Sequence, residues 1–249
     1  MNNELTTVTP VGIWGGYPAA NGATSSFLIE KAGFRCLIDC GSGVLASVQN
    51  HSKLGELDAV TISHYHADHI ADIGPLQFAR MIEKQLGGND SVLPVYGHRE
   101  DQEQFEKLSY QDVTEGREIK EGAPVTIGPW DVTFCRTNHP VYCLALKFSS
   151  NGKSVVFTAD TGWHDELTRF AAGADLLVAE SNLFEEHVGR VEGHMSGRQA
   201  GELAGKAKAG SLLLTHLPQY GDLSRIEADA RKAFNGPAEL AVVGKTYRV

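Results

Sequence analysis

The sequence contains no apolar run approaching the roughly 18 residues that a membrane span requires. Its first 30 residues carry no Lys or Arg, which removes the basic start of a secretory signal. A soluble, unexported, cytoplasmic protein with no membrane partner is the expectation. Positive charge is also scarce, with 22 Lys and Arg against 31 Asp and Glu and a net charge of −9. No whole-molecule field would draw such a chain to long nucleic acid or anionic lipid. Only four cysteines are present. Cys36 and Cys40 lie four strand steps apart, too far to bond, and Cys135 and Cys143 show no metal-finger spacing, so reduced thiols are expected. No long linker, low-complexity tract or charge block interrupts the 249 residues. A single domain spanning 1–249 is the reading, and a chain of this length buries a core without staples.

What the sequence does have is a steady alternation of β-branched runs and amphipathic stretches, punctuated by 27 glycines. Strands are predicted at Leu5–Val11, Ser26–Glu30, Phe34–Asp39, Ala59–Ile62 and Val92–Tyr96, with a helix burying Phe78, Met81, Ile82 and Leu86. The middle is more purely β: Trp130–Thr137, Cys143–Phe148 and Ser154–Thr158, the last two joined by Asn151-Gly152, a strong hairpin signal. The final third returns to alternation, with helices at Leu167–Ala171, Gly197–Ala209 and Arg225–Phe234 and strands at Leu176–Ala179, Leu212–Thr215 and Leu240–Val243. Short apolar strands need both faces covered, so two packed sheets with helices outside are implied. Ser196-Gly-Arg-Gln199 has the form of a capping box at the start of the penultimate helix. His194 lies just before it, where an anion would meet an imidazole and a positive helix terminus.

Chemistry concentrates directly after the strand Ala59–Ile62. There Ser63-His64-Tyr65-His66-Ala67-Asp68-His69 places three histidines and a carboxylate within six residues. One loop histidine is commonly a solvated side chain, but four donors at this spacing let one turn aim ligands at two adjacent points. Further donors each follow a predicted strand: His139, Asp160 and His216. Strand ends of one sheet system share a rim, where α/β architectures gather their sites. Taken singly, His139 could cap a turn before Pro140, Asp160 could form an Asx-turn, and His216 could be a strand-end polar residue. Asp39 could cap its strand before Gly41.

In their order along the chain, Asp39 in LIDCG, the His64/His66/Asp68/His69 motif, His139, Asp160 in TADTG and His216 in LLLTH resemble the metallo-β-lactamase superfamily. The resemblance runs through nearly the whole chain and implies an α/β fold, an αββα sandwich with a binuclear metal site on its edge. It implies one metal held by His64, His66 and His139, another by Asp68, His69 and His216, with Asp160 bridging and Asp39 orienting the loop or a ligand imidazole. Such a set of imidazoles and carboxylates with no thiolate suits two divalent ions, Zn²⁺ first, with Mn²⁺ or Fe²⁺ admitted at the more oxygen-rich position. True β-lactamases lack a bridging Asp where this chain has Asp160, and flavodiiron proteins carry Glu where it has His66. GHMSGRQAGELA at 193–204 and GGYPAANGATSSFLIE at 15–30 look like the phosphodiesterase branch around ribonuclease Z. In that branch the residue matching His194 lies near the scissile phosphate and is thought to help the leaving group.

Two cations about 3.5–4 Å apart can neutralise phosphoryl oxygens and generate hydroxide at neutral pH. Asp68 would accept the proton of that bridging nucleophile, and His194 would serve the departing oxygen. Glu180 ends a strand near this rim, read as solvated or as support for His194. His51, His98, His164 and His187 read as surface residues and EDQEQFEK at 100–107 as a solvated helix face. Trp14, Tyr17 and Trp163 would either stack on a base or close over the core. Enzymes that process precursor tRNA carry a long arm between the residues matching His139 and Asp160. Here that interval is 160 − 139 = 21 residues, which two strands and a turn consume. The expected substrate is therefore a small phosphodiester, such as a cyclic nucleotide or dinucleotide. A lactone, carboxyl-ester or thioester hydrolase on the same fold, and a non-catalytic metal-stabilised binding module, are the alternatives. The oligomeric state, a homodimer included, is left open.

Overall fold

The run Leu212–Thr215 is buried at every position, and a strand without a wet face has to lie between two layers. The computed structural model, which describes residues 5–249, supplies those layers. Its strands are β1 (Thr7–Gly12), β2 (Ser26–Lys31), β3 (Phe34–Ile38), β4 (Ala59–Thr61), β5 (Leu93–Gly97), β6 (Thr114–Glu118), β7 (Val125–Ile127), β8 (Trp130–Arg136), β9 (Leu144–Ser150), β10 (Lys153–Phe157), β11 (Leu176–Glu180), β12 (Leu212–Thr215), β13 (Ala238–Leu240) and β14 (Tyr247–Arg248). They form two sheets, ordered β14-β1-β2-β3-β4-β5-β6 and β7-β8-β9-β10-β11-β12-β13. In both sheets, read in that order, three antiparallel pairings precede three parallel ones. By this correspondence β3, β4 and β5 match β10, β11 and β12.

Alternation along each strand divides the core into layers. Phe27 and Ile29 of β2 join Phe148, Phe157 and Val178 of the other sheet in a central layer, where the Phe27 and Phe157 ring centroids lie 5.3 Å apart. Leu28 points the other way, into a layer covered by α1 (Val44–Val48), α3 (Ile73–Gln85) and α4 (Gln102–Glu106). The outer face of the second sheet, with Val156, Leu177 and Ala179, packs on α5 (Asp165–Phe170), α6 (Gly197–Ala207) and α7 (Ser224–Ala233). The remaining helix, α2 (Ala67–Ile70), belongs to the metal motif. The result is the four-layered αββα sandwich. No described helix is long and apolar enough to cross a membrane.

The capping box forms as read: Ser196 Oγ accepts from Gln199 N while Gln199 Oε1 accepts from Ser196 N. Asn151-Gly152 turns with both residues at positive φ, 54° and 76°, the geometry of a type I′ hairpin. All four cysteines are buried and free.

Three expectations need correction. The helix predicted to bury Phe78, Met81, Ile82 and Leu86 is α3, but Phe78, Ile82 and Leu86 are exposed and Met81 is half-buried. Its buried face is Ile73, Leu76, Gln77 and Arg80. Gln77 donates to the carbonyls of Lys107 and Leu108, and Arg80 to those of Gly55 and Ser91, so loop carbonyls that need donors chose the face. The strand predicted at Leu240–Val243 forms earlier, at Ala238–Leu240, because it registers on Leu212–Leu214. His98, read as a surface residue, is 2% exposed. His51 is exposed as expected, whereas His164 and His187 are half-buried. In the 100–107 segment only Phe105 is buried.

Candidate metal centre

The ends of β3, β4, β10 and β12 meet at one edge of the sandwich. Each ends abruptly because the backbone turns into a left-handed conformation or a tight loop. Asp39 after β3, Ala159 after β10 and His216 after β12 have φ of 57°, 50° and 53°. Non-glycine residues reach that region only at an energetic cost, and such residues concentrate at functional sites. After β4 the chain runs through His64 and His66 into α2, whose Asp68 and His69 are buried.

The structure brings all seven sequence-predicted ligands together. In one group, His64 Nε2 lies 3.1 Å and His139 Nε2 3.2 Å from His66 Nδ1. In the other, His69 Nε2 and His216 Nε2 lie 3.3 and 3.2 Å from Asp68 Oδ2. Asp160 stands between the groups. Its Oδ2 is 3.7 Å from His64 Nε2 and 4.0 Å from His139 Nε2, while its Oδ1 is 3.4 Å from His69 Nε2 and 3.3 Å from His216 Nε2. Burial alone would raise the Asp160 carboxyl, but the imidazoles of His216, His69 and His64 hold it well below the usual range. His69 Nε2 is buried with no hydrogen-bond partner among the described residues. A buried lone pair left open among convergent imidazoles and carboxylates fits a cation.

The outward ring nitrogens of His69 and His139 are held by the protein, as is usual for metal-ligating histidines. Asp39 Oδ2 sits 2.7 Å from His69 Nδ1. The same carboxylate accepts from Ser63 Oγ and Ser63 N, tying the start of the motif to β3. His139 Nδ1 is 3.1 Å from the Gly193 carbonyl. Gly193 has φ +78°, and a Cβ there would sit 2.6 Å from His139 Nδ1, so only glycine allows this approach. Gly16 N donates to Asp68 Oδ2 at 2.8 Å.

Glu180 and His194 form a further pair over the centre, with Glu180 Oε1 2.8 Å from His194 Nδ1. Glu180 is not solvated: it is 1% exposed, and its oxygens also accept from Thr161 N and Asn182 N. Burial would lower the His194 pKa, but the Glu180 carboxylate, with Asp160 and Asp68, raises it to about 9. Glu180 holds the His194 ring through this contact, and with His194 and His216 it also belongs to a third group of convergent donor atoms. Sequence reasoning gave it little weight because an acid ending a strand looks the same whether wet or buried. A cavity of about 250 Å³ opens over the centre, lined by His66, Asp68, Asp160, His194 and His216 with Tyr17 and Tyr220. Tyr17 therefore stands at the site, whereas Trp14 and Trp163 pack against the core.

Comparison with known proteins agrees with this geometry. Residues 34–217 match the family model described as Beta-lactamase superfamily domain. The protein named Probable metallo-hydrolase YhfI, from Bacillus subtilis (strain 168), is 44% identical over 237 residues, covering 95% of this chain and 97% of the relative. The crystal structure of the metallo-beta-lactamase fold protein YhfI from Bacillus subtilis superposes with a TM-score of 0.96 at 42% identity, over 98% of this chain and all of that one. A Ribonuclease Z from Methanopyrus kandleri is 27% identical over 271 residues, 94% of each chain. The chain belongs to the metallo-β-lactamase superfamily, in its ribonuclease Z-like branch, and is a metallo-hydrolase.

Proposed function

We propose that the protein is a binuclear metal-dependent phosphodiesterase acting on small phosphodiesters, its whole length forming one catalytic domain. The observation that carries this reading is the division of the Asp160 oxygens between two donor groups, with the Glu180–His194 pair over the same cavity. His64, His66 and His139 would hold one divalent ion and Asp68, His69 and His216 the other, with Asp160 shared; Zn²⁺ suits the set best, and Mn²⁺ or Fe²⁺ also fits. Two cations there would neutralise phosphoryl oxygens and make water acidic enough to supply a nucleophile at neutral pH.

The chain's own residues divide the remaining work. Asp68 Oδ2, fixed by the Gly16 N–H, is placed to take the proton of the attacking water. His194, held by Glu180 through Nδ1, presents its other nitrogen to donate a proton to the leaving oxygen. Asp39 acts through His69, and Gly193 through His139, by fixing ring orientation.

A small substrate is supported by three features. The interval between His139 and Asp160 is filled by β9, β10 and their tight turn. The net charge of −9 supplies no counterion-releasing surface for long nucleic acid. The cavity over the centre is about 250 Å³, room for one nucleotide rather than a folded RNA. The relative named Ribonuclease Z supports phosphodiester chemistry on this fold. Rates on bis(p-nitrophenyl) phosphate, a lactone, a thioester and precursor tRNA at physiological salt test the reading. The diester should be cleaved fastest. Faster thioester or lactone turnover would place the protein among carboxyl-ester hydrolases, and efficient trimming of the tRNA 3′ trailer would overturn the small-substrate reading.

A further inference from the structure

His66 lines two cavities: the one over the metal centre and a second, of about 270 Å³, walled by Tyr65, His98 and Tyr142. The three rings form a continuous set, with the His98 centroid 4.3 Å from Tyr65 and 4.8 Å from Tyr142. Tyr65 Oη donates to the His98 carbonyl at 2.6 Å, and Arg136 lies over the Tyr142 ring at 4.3 Å, so the walls are fixed. His98 follows β5 as His216 follows β12 in the matching strand of the other sheet. Unlike His216, it joins no cluster of metal donors among the described residues. His98 is 2% exposed and packs against Tyr65 and Tyr142 as a wall of the cavity. A cavity walled by three rings and sharing His66 with the metal centre is shaped for a flat ligand.

The lining also decides which ligand. Its charged side chains are the carboxylates of Glu100 and Asp101; Gln104 is polar, and no described Lys or Arg lines the cavity. Phosphate is repelled by such a site, whereas a flat ring with apolar faces and N–H donors at its edge is accepted. We propose that this cavity receives the base of a nucleotide phosphodiester, selecting an amino-bearing base, while the phosphate lies at the metal centre. The proposal rests on the phosphodiesterase reading and adds the substrate class to it.

Binding of the product-like nucleotides AMP and IMP to the metal-loaded protein, measured by calorimetry, tests it. They share a phosphate and a ribose and differ at the base edge, where the AMP amine, with two donors, gives way in IMP to a carbonyl that the carboxylates would repel beside a single N1–H donor. AMP should bind roughly tenfold more tightly than IMP, the value of one hydrogen bond to a charged group. Replacing Glu100→Gln together with Asp101→Asn should close that gap, with Asn still able to cap α4. Tyr142→Ala should weaken AMP binding by roughly 5- to 100-fold, as loss of base stacking does, and Tyr142→Phe should not. Equal affinity of the wild-type protein for AMP and IMP, or unchanged AMP affinity in Tyr142→Ala, would overturn the assignment. Hydrolysis of bis(p-nitrophenyl) phosphate, measured alongside, separates the two claims. Diester hydrolysis without base selectivity sinks the pocket alone. Selectivity lost in Tyr142→Ala, without any diester hydrolysis, sinks the phosphodiesterase reading and leaves the pocket standing.

Discussion

Asp160 and His194 sit within one cavity yet should fail in different ways. Asp160→Ala removes the carboxylate shared by both donor groups, so metal retention and activity should be lost together. His194→Ala should leave metal bound and reduce turnover by roughly 10²–10⁴, the usual contribution of a general acid. Elemental analysis paired with steady-state rates checks this, and a His194→Ala protein with full activity on a diester with a poor leaving group would remove its role. Glu180→Gln should retain metal and lower kcat by a smaller factor, since it acts through the imidazole it holds. The cluster residues were legible because their motif is dense and each follows a strand end. His98 and Glu180 were not, since burial depends on what later segments pack against them. Burial pushes the His98 pKa from 6.5 down to about 4, so the folded state resists its protonation. Its effect on stability is absent above pH 6.5 and grows into a loss as pH falls from 6.5 toward 4, up to about 3 kcal/mol. Comparing denaturant midpoints of wild type and His98→Phe at pH 7.5 and 4.5 checks this. The wild-type loss should exceed the variant's, and parallel curves would contradict it.

At the scale of elements, α3 separates amphipathic pattern from actual burial. Its apolar residues at 78, 82 and 86 are spaced as a core face should be, yet Phe78, Ile82 and Leu86 face outward. Hydrophobic periodicity reports which face is greasy, whereas this helix is oriented by carbonyls of Gly55, Ser91, Lys107 and Leu108 to which Arg80 and Gln77 donate. Arg80→Met should therefore cost about 1–3 kcal/mol through carbonyls left unpaired, whereas Ile82→Ser should change stability by about 0.5 kcal/mol or less. Chemical denaturation of the two variants decides, and the reverse order would return the apolar face to the core. Where periodicity and demand agree, as in α6 with its capping box or in the β9–β10 hairpin, boundaries were legible to within a residue or two. The edge strand β6 was missed because Thr114-Glu-Gly-Arg-Glu118 is mostly polar, and a strand with one neighbour needs little apolar surface.

Over the whole molecule, two sheets repeat one order of antiparallel and parallel pairings, and the metal centre lies where their matching strand ends converge. The alternation of strands and helices made the layered sandwich legible. The closing pairing of β14 with β1 was not, since two residues carry no periodicity and their partner lies some 240 positions away along the chain. That convergence puts two donor groups around one carboxylate, and phosphodiester cleavage is proposed to need both. The most direct test is the rate of bis(p-nitrophenyl) phosphate hydrolysis by chelator-stripped protein as Zn²⁺ or Mn²⁺ is restored. Activity is predicted to rise until about two ions are bound per chain and to stay negligible at one. Full activity at one ion per chain, or no diester cleavage at any loading, would contradict it.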